Sequence, residues 1–318
     1  MLRTSFFLAV LFACFSCKKT STTTTCSNLL GTNACNKNTI TIDTSKINRK
    51  VLIIGVDGFR SEAMQQSITP FLHQLSQSST VFFNDCHSVE DHTISGPNWS
   101  SLLTGVHWCK HQVTNNSFTD NQLSDFPSFF HYIENADSSI NTTSIVNWTP
   151  INEFLTFEKA DHFPQNSLSD AEVYQLAEET LINQNAVSSD VLFLHFDDPD
   201  AAGHGHGFSS SVTEYAQVLT QTDNYVQQLF SIIETKRNNG EDWIVFIVSD
   251  HGGDGTSHGD GQYNPYIANT IFFAQHPSLL FKESCSSSQV DLIPTILDFI
   301  GINSQAFNCK TDGSSILQ

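Results

Sequence analysis

Three unbroken apolar stretches limit what this chain can fold into: Val51–Val56 (V-L-I-I-G-V), Val191–Phe196 (V-L-F-L-H-F) and Trp243–Val248 (W-I-V-F-I-V). A strand with one wet face alternates apolar and polar residues. A run apolar at nearly every position is what a strand needs when it is buried on both faces, as in a parallel sheet covered by helices. Each run ends in acidic residues: Asp57 after the first, Asp197-Asp198-Pro199-Asp200 after the second, Ser249-Asp250-His251 after the third. Open α/β sheets bind ligands outside the carboxyl ends of their strands, so these side chains are expected to gather at one edge.

The intervening segments alternate between helix and strand patterns. Ile68–Ser78 carries a Thr69-Pro70 helix start, and helices are also expected over Trp99–Leu103 and Phe126–Ile133. Leu168–Gln184 has Val173, Leu176, Ala177 and Leu181 at helical spacing, Ser211–Thr235 is the longest helical pattern, and Val290–Ile300 reads as a closing helix. Val81–Phe83, Thr143–Trp148 and Asn269–Ala274 read as further strands. With no internal repeat and no long linker, the expected architecture is one α/β domain: a mostly parallel central sheet with helices on both faces.

The first residues read as a targeting segment. Arg3 precedes the apolar run Phe6–Phe15, which is too short to cross a bilayer and suits a secretory leader. It ends at Cys17-Lys18-Lys19, similar to a bacterial lipoprotein cleavage site with Cys17 lipidated; Cys14 is a rival site, and secretion without a lipid is the alternative. Thr20–Thr25 then reads as a flexible tether. The expected division is residues 1–17 leader and anchor, 18–48 tether and 49–318 catalytic domain, exported and held at the cell envelope by the lipid. Six cysteines remain beyond the leader: Cys26, Cys35, Cys86, Cys109, Cys285 and Cys309. An even number in an exported chain suggests disulfides; proximity favours pairing them consecutively, although other connectivities are open.

The formal net charge is −19, from 14 Lys plus Arg against 33 Asp plus Glu. Such a chain repels nucleic acid polymers. If its substrate is anionic, positive charge must come from bound metal ions rather than from basic side chains.

Donors for such ions are present. Asp57, Asp200 with His204, Asp250 with His251, and His258 in S-H-G at Ser257–Gly259 form a carboxylate and imidazole set suited to zinc. His206 duplicates the imidazole of His204, and spacing favours His204. The stretch Thr93–Gly105 (T-I-S-G-P-N-W-S-S-L-L-T-G) places Ser95 in a Gly/Pro-interrupted turn, with Pro97 suited to open a helix. A hydroxyl there meets the positive end of the helix dipole, a setting that favours an alkoxide or an anion. Taken alone, Ser95 would be a helix cap.

In series, V-D-G-F-R at Val56–Arg60, S-G-P-N at Ser95–Asn98, L-T-G-V at Leu103–Val106, P-D-A-A-G-H at Pro199–His204, S-D-H-G at Ser249–Gly252 and S-H-G at Ser257–Gly259 resemble the alkaline phosphatase superfamily. The closest likeness is to its type I phosphodiesterase/nucleotide pyrophosphatase branch, and Val290–Gly301 with Asp312–Leu317 looks like the end of that domain. The resemblance implies a single alkaline-phosphatase-like domain that hydrolyses phosphate esters, most of all phosphodiester or nucleotide pyrophosphate bonds, with two zinc ions. It implies Asp200, His204 and His258 at one zinc, and Asp57, Asp250, His251 and the nucleophile Ser95 at the other. Asn98 matches the residue that hydrogen-bonds a non-bridging phosphoryl oxygen. Paired metals ~3.5–4 Å apart stabilise the attacking and leaving oxygens of an in-line displacement, and zinc lowers the hydroxyl pKa, so Ser95 can form a covalent phospho-serine without a dedicated base.

Several features depart from that pattern. The nucleophile is Ser where this branch usually has Thr, and Lys110-His111-Gln112 stands where relatives often show K-H-G. Sulfatases share the fold but use Cys/Ser-x-Pro-x-Arg, and here Trp99 replaces the Arg. A phosphomonoesterase usually recruits a cation for its dianion; Arg60 and Lys110 are among the few available, which leans toward the monoanionic diester. An inactive surface-binding lipoprotein is the alternative outside the enzymes, and the intact ligand set speaks against it. No partner is implied beyond a small phosphate-ester substrate and the membrane reached through the lipid.

Overall fold

The computed structural model describes residues 40–183, 187–282, 287–303 and 311–318, without the side chains of residues 85–88. The leader, most of the tether, and the side chains of Cys26, Cys35, Cys86, Cys285 and Cys309 lie outside the described residues; Cys109 is buried. The chain runs β1 (Arg49–Val56), α1 (Pro70–Leu75), β2 (Val81–Ser88), α2 (Ser95–Thr104), α3 (Trp108–His111), α4 (Phe129–Ala136), β3 (Thr142–Val146) and α5 (Asp170–Leu181). It continues through β4 (Val191–Phe196), α6 (Asp198–His206), α7 (Thr213–Asn238), β5 (Asp242–Val248), α8 (Pro265–Ala268), β6 (Asn269–Gln275) and α9 (Leu292–Ile300).

The six strands form one sheet in the order β2-β6-β5-β1-β4-β3. The three apolar runs are its centre: β1 pairs in parallel with β4 and with β5, and β3 joins β4 in parallel. Only β6 is reversed, pairing antiparallel with both β5 and β2. The sheet is therefore mostly parallel, as expected, with one reversed strand that periodicity alone does not reveal.

Residues alternate strictly between the two faces. Val51, Ile53, Val191, Phe193, Ile244 and Phe246 pack on one side with α2, α4 and α9. Leu52, Ile54, Val56, Leu192, Leu194, Phe196 and Val245 pack on the other with α1, α5 and α7. Fully burying one such side chain contributes about 1.5–3 kcal/mol, so both faces must be covered. The same parity places Asp57, just beyond β1, and His195 of β4 on the α2 side.

Two helices differ from expectation where the site lies. The segment after β4, where the sequence pattern names no helix, is the helix α6. Its weak intrinsic propensity is overridden at its start: the buried Asp170 carboxylate accepts the N–H groups of Asp197 at 2.8 Å and Asp198 at 3.0 Å, and Pro199 fits the first turn. Helix α2 begins at Ser95, not behind it. Ile94 is the cap, Pro97 is the third helical residue, and the helix ends at Gly105 with φ 73°. Lacking a Cβ, Gly105 takes that left-handed conformation without strain.

Candidate metal centre and nucleophile

The carboxyl ends of β1, β4 and β5 deliver Asp57, α6 and Asp250-His251 to one sheet edge, and α2 brings Ser95 to the same place. Close contact between the β1 and β4 connections needs Gly58, whose φ is +65° and whose missing Cβ would lie 2.8 Å from Asp200 atoms. Ser95 Oγ lies 3.5 Å from Asp57 Oδ1 and 3.3 Å from His251 Nε2. His251 Nε2 is 3.2 Å from Asp250 Oδ2 and 3.5 Å from Asp57 Oδ1. On the adjoining side, His204 Nε2 lies 3.3 Å from Asp200 Oδ2, and His258 Nε2 lies 3.6 Å from Asp200 Oδ1. Both expected ligand sets are thus brought together. His204, although itself exposed, makes these contacts, whereas His206 at the end of α6 makes no hydrogen bond or ion pair among the described residues.

Hydrogen bonding fixes the imidazoles in one form. Nδ1 of His204 faces Thr256 O at 3.0 Å, Nδ1 of His251 faces Gly252 O at 3.0 Å, and Nδ1 of His258 faces Thr93 O at 2.7 Å. A carbonyl only accepts, so each Nδ1 carries the proton and each Nε2 presents a bare lone pair to the centre. Burial, joined by the neighbouring His258, pushes His251 down to about 3, and burial also lowers His258. Both are therefore neutral, the form that binds metal.

Two of these lone pairs, those of His204 and His258, point at one another. His204 Nε2 and His258 Nε2 are 2.9 Å apart. Asp200 Oδ1 and Asp250 Oδ2 are buried without a hydrogen-bond partner among the described residues. Burial and the charges of Asp57 and Asp197 push Asp200 up to about 9, and burial with the charges of Asp57 and Asp200 raises Asp250 well above the carboxylate range. Converging lone pairs and orphaned carboxylate oxygens are what cations would relieve, so the residues fit metal binding. Donor atoms of Asp57, Asp250 and His251 lie within 4.8 Å of one another, as do those of Asp200, His251 and His258.

Asn98 is not brought into the centre. Its Oδ1 accepts the Glu90 N–H at 2.9 Å, and its Nδ2 donates to His92 O and Ile94 O, both at 2.8 Å. It closes the 90–98 loop from inside. Asn116, which the sequence reading passed over, sits instead at the start of α2. Its Oδ1 accepts the Gly96 N–H at 2.7 Å, which leaves its Nδ2 hydrogens uncommitted among the described residues.

Other supporting residues also escaped the sequence reading. Thr93 ties the Ser95 loop to the His258 loop: its hydroxyl donates to His258 O and accepts the Gly261 N–H. Phe208 lies edge-on to His204 and His258. Its ring lies where a Cβ on Gly203 or Gly253 would fall, 2.2 and 2.1 Å away. Trp99, at the position that is Arg in sulfatases, donates its Nε1–H to Asp57 Oδ2 at 2.8 Å. His195 lies 3.1 Å from that same oxygen, and its signal was a lone imidazole inside an apolar strand.

A model of the type I phosphodiesterase/nucleotide pyrophosphatase family matches residues 51–273. No curated protein matches the chain. Among solved structures, murine ectonucleotide pyrophosphatase/phosphodiesterase 5, an inactive form in complex with AMP, aligns with TM-score 0.62 at 12% identity, covering 85% of this chain and 100% of that chain. A 2-O GAG sulfatase aligns with TM-score 0.63 at 14% identity, over 84% of this chain and 73% of its own. The C-terminal periplasmic domain of EcEptC from Escherichia coli, in complex with Zn, aligns with TM-score 0.57 at 13% identity, over 83% of this chain and 86% of its own. At these identities the likeness is one of fold.

Proposed function

The chain belongs to the type I phosphodiesterase/nucleotide pyrophosphatase family of phosphoric ester hydrolases, and from that premise we propose that it cleaves phosphodiester or nucleotide pyrophosphate bonds by attack of Ser95 on phosphorus. The observation that carries this reading is the position of Ser95 Oγ, in the first turn of α2, 3.3 Å from His251 Nε2 and 3.5 Å from Asp57 Oδ1. Asp200, His204 and His258 would hold one zinc ion, and Asp57, Asp250, His251 and Ser95 the other. Such ions, when bound, supply Lewis-acid charge beside the reacting oxygens.

The rest falls to the chain's own groups. As Ser95 gives up its hydroxyl proton to water, a new P–O bond forms at Oγ and the P–O bond to the leaving alcohol or phosphate breaks, the leaving group taking a proton from water. The resulting phosphoryl- or nucleotidyl-Ser95 is resolved by water in a second displacement. The positive end of α2 favours negative charge at Oγ. The amide of Asn116, rather than that of Asn98, donates to the non-bridging phosphoryl oxygens. A monoanionic diester suits the site because the two cations considered for a dianion are engaged: Arg60 donates to Phe208 O at 2.6 Å and lies 3.6 Å from the centroid of the Tyr266 ring, and Lys110 pairs with Asp312.

A panel of aryl phosphate diester, aryl phosphate monoester and aryl sulfate, run with and without chelator beside elemental analysis, tests the reading. The expected outcome is diester cleavage exceeding monoester cleavage, no sulfate cleavage, loss of activity on chelation and about two zinc ions per chain, the number for a two-metal hydrolase. One calcium ion with sulfate cleavage overturns it. No helix of the described residues is long and apolar enough to cross a membrane. We assign membrane attachment to a lipid on Cys17, so that Cys17→Ser moves the protein to the soluble fraction with its specific activity unchanged; a wild-type protein that is already soluble removes the anchor. The six remaining cysteines are taken to be paired, and reactive thiols under denaturing, non-reducing conditions refute that.

A further inference from the structure

We propose that His195 is a positioning residue for Asp57 and that, together with Trp99, it decides which Asp57 oxygen faces the nucleophile; this rests on the hydrolase reading above. Asp57, Trp99 and His195 are all fully buried. Trp99 Nε1–H donates to Asp57 Oδ2 at 2.8 Å, and His195 Nε2 lies 3.1 Å from the same oxygen. A carboxylate oxygen only accepts, so Nε2 carries the His195 proton. With Oδ2 held by two N–H groups from behind, Oδ1 is the oxygen left facing Ser95 Oγ and His251 Nε2, each 3.5 Å away.

The surroundings are built around this brace. The Trp99 ring crosses β1 at Gly55, where a Cβ would come within 2.5 Å of it, and stands edge-on to the His195 ring at 4.8 Å and 78°. His195 Nδ1 is left buried with no hydrogen-bond partner among the described residues. An unsatisfied nitrogen inside an apolar strand opposes stability, and a leucine there would avoid it. What the histidine contributes is therefore the orientation of Asp57, not packing. Asp57, His195 and Asp197 also bring donor atoms within 4.8 Å of one another, so the zinc count of the His195 variant distinguishes a ligand from a brace. Hydrogen bonds to a ligating carboxylate typically change metal affinity or activity by about 10–100-fold.

The test compares full-length wild type with His195→Leu, His195→Gln, Trp99→Phe and Ser95→Ala. Zinc affinity is measured by chelator competition, turnover on an aryl phosphate diester, and folding by thermal melting. His195→Leu is expected to weaken zinc binding and lower kcat, each by about 10–100-fold, with KM unchanged. His195→Gln, whose amide can reach the same oxygen, is expected to recover most of both. A folded His195→Leu with wild-type zinc affinity and kcat overturns the proposal, and so does loss of a third zinc ion in that variant, which would make His195 a ligand. If His195→Leu does not fold, Trp99→Phe decides: it removes the other N–H while keeping a ring on Gly55, and wild-type zinc affinity in it overturns the proposal. Ser95→Ala with normal turnover would remove the nucleophile reading alone, because the zinc-affinity comparison still tests the brace.

Discussion

The imidazoles of His251 and His258 lie face to face, with ring centroids 3.8 Å apart and planes 20° from parallel. One belongs to the Asp57 set and the other to the Asp200 set, so the two halves of the centre share a packed interface and are not independent sites. The stacking suits two neutral rings, and burial keeps both in that state.

Replacing Ser95 separates chemistry from structure. Ser95 makes no capping hydrogen bond; its hydroxyl faces Asp57 and His251. Ser95→Ala is expected to lower turnover on the order of 10³-fold or more, with zinc content retained and stability changed by less than the ~1 kcal/mol of a lost cap. Ser95→Thr keeps a hydroxyl and part of the activity. Turnover, zinc content and Tm on the two variants check this, and near-normal turnover in Ser95→Ala removes Ser95 from the reaction.

The two asparagines are expected to fail differently. Asn98→Ala removes three hydrogen bonds inside the 90–98 loop and should cost about 1–3 kcal/mol of stability. Asn116 is exposed and accepts one hydrogen bond, from the Gly96 N–H, so Asn116→Ala should cost no more than about 1 kcal/mol of stability while turnover falls about 10²–10³-fold. Urea unfolding beside kinetics on both variants checks the assignment, and the reverse pattern returns the phosphoryl contact to Asn98.

Phe208 acts as a wedge among the loops that carry the candidate metal ligands. Gly203→Ala or Gly253→Ala would drive a Cβ into its ring, at 2.2 or 2.1 Å, and is expected to cost about 1–3 kcal/mol by overpacking. Because the ring also touches His204 and His258, zinc affinity should fall in the same variants. Unchanged melting would show that the ring can move aside.

One pH dependence can be worked out away from the metal ligands. Glu90 is held below its ordinary range although burial alone would raise it, because His107 Nδ1 lies 2.9 Å from its Oε1; His107 is raised by the same contact although burial would lower it. The His107 contribution is complete below its ordinary value of 6.5 and is lost as pH rises through its raised folded value. The Glu90 contribution is complete above 4.5 and is lost as pH falls through its depressed value. Wild type should therefore exceed Glu90→Gln in stability most between about pH 4.5 and 6.5, with the gap closing on both sides. Melting curves across pH 3–9 check it, and a flat difference refutes it.

The sheet centre and the gathering of candidate ligands at its edge were legible because they lie in consecutive positions: apolar runs at β1, β4 and β5, each followed by Asp or His. What escaped depended on partners distant in sequence. Helix α6 owes its start to Asp170, almost thirty residues upstream. Asn98 and Asn116 are indistinguishable until the loop closes and shows which amide faces inward. Periodicity is blind to strand direction, so β6 read only as a strand. His195 was visible as a polar residue in a dry strand, but its partner Asp57 lies across the sheet.

The central strand β1 comes first in the chain, yet its neighbours arrive late: Val51 pairs with Val191 on one side and Ile244 on the other. During synthesis, V-L-I-I-G-V must therefore wait, apolar and unpaired, until most of the chain has been made. Sheets closed by such distant pairings fold slowly and expose aggregation-prone segments meanwhile. The residue order that sets Asp57 at the middle of the sheet edge therefore means that no N-terminal fragment ending before β5 can bring Asp57, Asp250 and His251 together.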